Sequence, residues 1–367
     1  MSNIKTPAIR QHYPALDGLR GIAILLVILY HNFNFIEYFN YGWLGVDLFF
    51  VLSGFLITDI LLHTVHGDNY FKNFYARRVL RIFPLYYLSL ILFILILPAI
   101  PGFPLNMQYY QEHQFWFWTY LQNWTLVFSQ DGDTTALGHF WSLAVEEQYY
   151  LLWPLLILFV RDPRKLLGIA LLLLIGVISA RYLIWQNRAQ FPGYERLFLF
   201  TRLDGILIGS MLACIQIINR NLIRRYFTGF LLILTAASYL FYFLKKGQDP
   251  NFPAWAIAGF TTFSVLFALL TYEAVSENKG MQTRVLRFAP LRILGKYSYG
   301  FYIFHWPVFL LIKPVTDRVL TNIGIPQNLF YQMLSSTLAT LAGFIVSVLS
   351  YHLFEKHFLR MKKFFGA

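Results

Sequence analysis

Long apolar runs separated by short basic or aromatic stretches dominate the chain. They fall at about 16–36, 44–63, 82–99, 140–160, 166–187, 203–219, 225–244, 254–274, 297–313 and 329–352. Each is long enough to cross a hydrocarbon layer of roughly 30 Å as a helix. The pattern therefore predicts an all-α, polytopic transmembrane bundle of ten spans. The segment 113–128, HQFWFWTYLQNWTLVF, is shorter and carries Trp116, Trp118 and Trp124 together with Gln114, Gln122 and Asn123. It reads as an interfacial or re-entrant helix, because aromatic and amide groups favour the membrane boundary or a protein-lined cavity.

Charge orients this pattern. With the N-terminus cytoplasmic, 22 of the 30 Lys and Arg residues fall in inside segments and seven outside, with Arg181 inside a span. Counting 113–128 as a span would invert every later loop, so the positive-inside bias predicts that both termini are cytoplasmic. The net charge of +12 is then a matter of topology, with room for an anionic ligand, and implies no nucleic acid.

Composition agrees with a membrane protein. Hydrophobic residues make up 57% of the 367 positions and charged residues 13%, with mean hydropathy +0.52; soluble domains carry about 25% charged residues. The single cysteine, Cys214, allows no intrachain disulfide and no thiol cluster for a metal. The polar first fifteen residues and the lack of a small-residue cleavage site argue against a removed signal peptide. The chain reads as one membrane domain over 1–367 with no soluble C-terminal domain.

Against this background the polar residues inside spans stand out, because such groups are costly and normally face a protein interior or an aqueous cavity. Arg20 and His31 bracket ten uncharged residues of the first span. The eleven-residue step places them within about 20° on one helix face and roughly 16 Å apart. Asp47, Glu146 and Glu147 lie at a depth similar to that of His31, within roughly 11 Å of the outer boundary. Ser142, Glu146, Tyr149, Tyr150 and Trp153 follow helical spacing, and Glu147 turns about 100° away. Near the opposite boundary Arg77, Arg78 and Arg81 precede the third span, with Pro84 near its start. Guanidinium forks suit phosphate oxygens. The structural alternatives are an interfacial arginine, ordinary positive-inside residues and a polar network that only fixes helix packing.

Several stretches in the expected order resemble the acyltransferase 3 family of integral-membrane acyltransferases. They are LDGLRGIA with Arg20 and His31, GWLGVDLFFVLSGFLIT at 42–58, RRVLRIFPLYY at 77–87, and WSLAVEEQYY at 141–150. Weaker likenesses are RLDGILIG, with Arg202 and Asp204, and KYSYGFYIFHWP, with His305. The resemblance covers essentially the whole chain. It implies O-acylation, most commonly acetylation, from acetyl-CoA or another acyl-CoA as co-substrate, with no permanently bound cofactor and no metal. The implied acceptor is a glycan such as a surface polysaccharide, lipopolysaccharide or lipid-linked saccharide. The implied setting is the lipid of a bacterial cytoplasmic (inner) membrane. Arg77, Arg78, Arg81, Ser142 and Tyr86 are implied in donor binding, and Arg202, Asp204, His305 and Tyr150 are secondary candidates.

On this reading His31 is a general base toward the acceptor hydroxyl, since imidazole titrates nearest neutrality. Glu146 or Asp47 would orient its ring, and Arg20 would contact the donor or a developing oxyanion. An extended pantetheine arm is comparable to the Arg20–His31 separation. The rival class is a proton-coupled transporter built on the same His and carboxylate groups, although no inverted repeat or matched pair of broken helices is visible. The sequence leaves the oligomeric state open.

Overall fold

The computed structural model describes residues 13–128, 136–187, 199–245, 258–276 and 281–366. Lys5, Arg10, Arg188, Arg196, Lys246 and Lys279, which entered the charge count, lie outside the described residues. Within them the secondary structure is entirely helical. Ten main helices follow the ten apolar runs: α1 Pro14–Asn32, α2 Leu44–Thr64, α3 Tyr70–Leu90, α4 Trp141–Val160, α5 Pro163–Gln186, α6 Asp204–Ile218, α7 Arg220–Lys245, α8 Phe260–Val275, α9 Ala289–Asn322 and α10 Leu329–Ser350.

Six of these are long and apolar enough to cross a membrane: α1, α2, α3 with its extension to Ala99, α4, α5 and α10. The chain is thus an integral membrane protein. Helices α6 and α8 and the apolar part of α7, Phe227–Leu240, are shorter, and the central stretch of α9 is bracketed by Lys296 and Lys313. The segment 113–128 breaks into the short helices Gln114–Trp118 and Gln122–Phe128, neither long enough to cross.

Local sequence accounts for the helix ends. Pro14 and Pro163 occupy first-turn positions of α1 and α5, where the missing N–H costs nothing. Asp162 caps α5 by accepting from the Arg164 amide, and Asn328 caps α10 by accepting from the Tyr331 amide. Helix α3 departs from the sequence expectation. It starts at Tyr70, so Pro84 lies in its interior rather than near its start, and Arg77, Arg78 and Arg81 are helical residues rather than a preceding stretch. The amphipathic opening YFKNFYARRVLR dilutes hydropathy without interrupting the helix. A proline inside a helix leaves a carbonyl one turn back without its partner, and a π-helical segment, Ile91–Ile96, follows.

Two packing seams position the site. Helix α1 packs along α9, and α2 along α6. The α2–α6 seam depends on small residues, as the sequence of α2 suggests. A Cβ on Gly54 would collide with the Ile206 carbonyl, and one on Gly209 with the Val51 carbonyl. Backbones in such small-residue crossings approach closely enough for dispersion contacts to hold helices together in lipid. Gly54→Val is therefore expected to destabilise the fold by at least the ~1–3 kcal/mol of core overpacking. Thermal unfolding in detergent measures this, and an unchanged midpoint would refute the close-packing account of the seam.

Candidate active site

Helices α1, α2, α3, α4 and α9 enclose a cavity of about 110 Å³. One end is basic. Arg20 from α1 and Arg78 and Arg81 from α3 line it, and Lys362 comes within charge range of all three and of Arg77. Arg20 also pairs with Asp17 at 2.9 Å. The Arg78 guanidinium lies 5.7 Å from the Phe74 ring centre and 5.8 Å from that of Tyr150, so two aromatic rings flank the cation.

The carboxylates of α4 belong to this same cavity. Glu146 and Glu147 both line it, and Glu146 faces Arg81, Arg78, Tyr150 and Ser53. The Tyr150 hydroxyl is hydrogen-bonded to Ser53. Ser142 and Tyr302 also line the cavity; their hydroxyls are 2.6 Å apart, and Tyr302 donates to the His139 carbonyl at 2.8 Å.

Two imidazoles lie beside Tyr302, and a third lies beside those two. The His139 and His305 ring centres are 5.4 and 5.7 Å from the Tyr302 ring, and 4.8 Å from each other. His31 lies 5.0 Å from His305, 6.3 Å from His139 and 5.3 Å from Trp306. Among the described residues no three His, Cys, Asp or Glu side chains converge as metal ligands would.

Hydrogen bonds fix two of the ring tautomers. His31 Nδ1 is 2.9 Å from the Val27 carbonyl, and His305 Nδ1 is 2.8 Å from the Tyr302 carbonyl. A carbonyl only accepts, so each Nδ1 carries the proton and each Nε2 presents a lone pair. His305 Nε2 is buried and has no hydrogen-bond partner among the described residues. His31 is partly exposed.

The sequence placed His31, Asp47 and Glu146 in one cluster; the structure separates them. Asp47 pairs with Arg202 at 2.5 Å, and Arg181 pairs with Asp204 at 2.8 Å. Thr261 links the second pair, accepting from Arg181 at 2.6 Å and donating to Asp204 at 3.1 Å. All four charged side chains are essentially buried, and the Arg202 guanidinium lies 4.3 Å from the Phe260 ring centre. Asp47, Arg202 and Asp204 thus form an ion-pair block that ties α2, α5 and α6 together. The group that holds the His31 ring is the Val27 carbonyl, one turn earlier on the same helix, rather than a carboxylate.

Other sequence candidates also resolve. Arg20 opens on the basic end, about 16 Å along α1 from His31, too far to reach an oxyanion formed beside that ring. Arg77 donates instead to the Phe365 carbonyl at 3.0 Å. Tyr86 is fully buried and donates to the Phe117 carbonyl at 2.7 Å, with its ring stacked 4.1 Å from Tyr120. It therefore anchors the aromatic segment 113–128. The expected α4 stripe splits: Ser142, Glu146 and Tyr150 face the cavity, whereas Tyr149 and Trp153 bond Ser210 and Thr58 at 2.8 Å each. Sequence reasoning missed His139 and Tyr302. The i,i+3 spacing of Tyr302 and His305 was a readable signal; for His139 the only signal was its closeness in sequence to Ser142.

Comparison with known proteins comes to the same place. The model of a family described as an acyltransferase domain, acyltransferase 3, matches residues 13–352. A putative peptidoglycan O-acetyltransferase of Bacillus subtilis is 31% identical over 94% of this chain and 55% of its own length. A peptidoglycan O-acetyltransferase of Listeria monocytogenes is 29% identical over 94% of this chain and 56% of its own. An O-acetyltransferase of Staphylococcus aureus is 30% identical over 83% of this chain and 51% of its own. The chain thus spans about half the length of these relatives. No solved structure matches it.

Proposed function

The chain belongs to the acyltransferase 3 family, and from that premise we propose that it transfers an acetyl group from acetyl-CoA to a hydroxyl of a surface glycan, across a bacterial cytoplasmic membrane. In this reading all ten helices span, both termini are cytoplasmic, and the basic end of the cavity is the donor side. The excess of Lys and Arg in the segments on that side supports the orientation.

The observation that carries the reading is one narrow cavity that joins a basic mouth to Ser142 and Tyr302, the latter with its ring against His139 and His305. Arg20, Arg78, Arg81 and Lys362 gather at its mouth, an arrangement suited to the phosphates of a coenzyme A nucleotide. A cavity of about 110 Å³ is below the usual small-molecule range of ~300–1,000 Å³. It accommodates the acyl end of the donor while the nucleotide stays outside. That end then abuts Ser142 and Tyr302, with His305 against the Tyr302 ring and His31 next to His305.

His31 Nε2 removes the proton of the acceptor hydroxyl as that oxygen attacks the thioester carbonyl. The carbon–sulfur bond then breaks, and the coenzyme A thiolate takes the proton back from the imidazolium. His305, with its own basic Nε2 5.0 Å away ring to ring, shares or relays that proton. The acceptor class follows the relatives, two of which are named for peptidoglycan.

Purified protein in nanodiscs, given radiolabelled acetyl-CoA and peptidoglycan strands, is expected to form base-labile acetyl esters on the glycan; labelled free acetate as the sole product, or no turnover, would overturn the reading. In the same assay Arg81→Gln is expected to raise the KM for acetyl-CoA on the order of 10–100-fold. That is the equivalent of one charge-assisted hydrogen bond of about 1.5–3 kcal/mol. An unchanged KM would remove Arg81 from the donor site.

A further inference from the structure

A second, larger cavity opens between the parts of α9 and α10 remote from the basic end. Its volume is about 610 Å³, and its walls include Phe35, Arg318, Gln327, Gln332 and Ser336. We infer that this cavity holds the acceptor: it is a saccharide-binding subsite that presents a glycan hydroxyl to His31. The inference rests on the acyl-transfer reading above and assigns its second substrate.

Position is the first argument. Phe35 lies one turn's length of chain beyond His31. Ser336 is one turn along α10 from Thr340, which accepts from Asn32 at 2.8 Å, and Asn32 adjoins His31. The cavity floor therefore sits roughly 6 Å along α10 from a bridge that touches the next residue to the proposed base. On the α9 side the same direction is marked by Trp306, which contacts His31 and stacks on Phe309, and then by Lys313 in the cavity wall.

Chemistry is the second. The charged framework of the wall is internally matched: Lys313 holds both Asp317 carboxylate oxygens at 2.7 Å, and Ser335 donates to Asp317 at 2.6 Å. Tyr331 donates to the Asp317 carbonyl at 2.8 Å, which locks α9 to α10. This rigid rim presents exposed amides, Asn322, Gln327 and Gln332, along with Arg318. Amides both donate and accept, as sugar hydroxyls do. Among the described residues of the lining, Arg318 is the one cation not matched in this way, whereas an anionic lipid headgroup is drawn to a cluster of basic groups. Phe35 supplies a flat apolar surface for a pyranose ring. Ser336 adds a small wall residue to the cavity floor. The volume lies within the ~300–1,000 Å³ usual for small-molecule sites.

The test uses the full chain in nanodiscs and fluorescent un-crosslinked peptidoglycan strands as the probe, read by equilibrium binding and by acetyl transfer. The variant is Q327L/Q332L, two exposed positions whose replacement spares the packing. Wild type is expected to bind the strands. The variant is expected to bind at least tenfold more weakly and to show a matching rise in the KM for glycan, with the KM for acetyl-CoA moving less than twofold. Equal binding by the two proteins, or no binding by wild type, overturns the subsite. So does glycan binding that phosphatidylglycerol in the disc suppresses in wild type alone, which assigns the cavity to lipid. Failure of the acyl-transfer reading would look different, as wild type that binds strands and forms no ester.

Discussion

His31→Gln is expected to lower acetyl transfer by about 10²–10⁴-fold, the range attributable to a positioned general base, with unchanged abundance in the membrane. Two features make the effect large and specific. The Val27 carbonyl fixes Nδ1 as the protonated nitrogen, so the basic Nε2 is committed to the reacting side. A glutamine amide keeps a polar side chain of related size but has no basic nitrogen. The measurement is ester formation by purified wild type and variant at matched concentration. Loss of less than tenfold would show that another group, with His305 the first to examine, removes the proton.

Arg202→Met is expected to cost about 3–5 kcal/mol of stability, because it strands the fully buried Asp47 carboxylate. The chain carries its own reporter. Cys214 is the single cysteine and is fully buried in α6, so a thiol-reactive fluorophore lights up only as that helix is released. The variant is expected to unfold at markedly lower temperature, and D47L/R202M, which removes both charges, is expected to recover most of the loss. Any folded Asp47→Asn protein is expected to keep most of its transfer activity, since Asp47 supports the bundle beside the site and does not touch the imidazole. A stable but inactive Asp47→Asn would return Asp47 to the chemistry.

The contrast between these two residues shows what a one-dimensional reading can and cannot extract. Depth was legible only in part: spacing at 1.5 Å per residue puts His31, Asp47 and Glu146 near one boundary and Arg78 and Arg81 near the other, yet Glu146 faces Arg78 and Arg81. Azimuth was not. A helix faces all directions at every depth, and which face meets which neighbour depends on seams such as α2–α6, where Gly54 and Gly209 set the approach. Residues that spacing put at one level therefore divided among a histidine cluster, an ion-pair block and a basic cavity. The helices themselves were visible as apolar runs, because lipid requires each spanning segment to satisfy its own backbone. The basic opening of α3 was hidden for the converse reason: away from the apolar layer a helix need not be hydrophobic. Tyr86 illustrates a further gap. It sits in a stretch that marks the family, yet its hydroxyl is spent on the Phe117 carbonyl, a partner 31 residues away that no local pattern reveals.

The central claim is that acyl groups enter at the arginines and leave at the histidines. It is tested most directly by sidedness in sealed, uniformly oriented vesicles. Labelled acetyl-CoA is supplied only to the face bearing Arg78 and Arg81, and peptidoglycan strands only to the other. The account expects acetyl ester on the strands in this arrangement and none when the two substrates are exchanged. Ester formed only when donor and glycan share a face would contradict it.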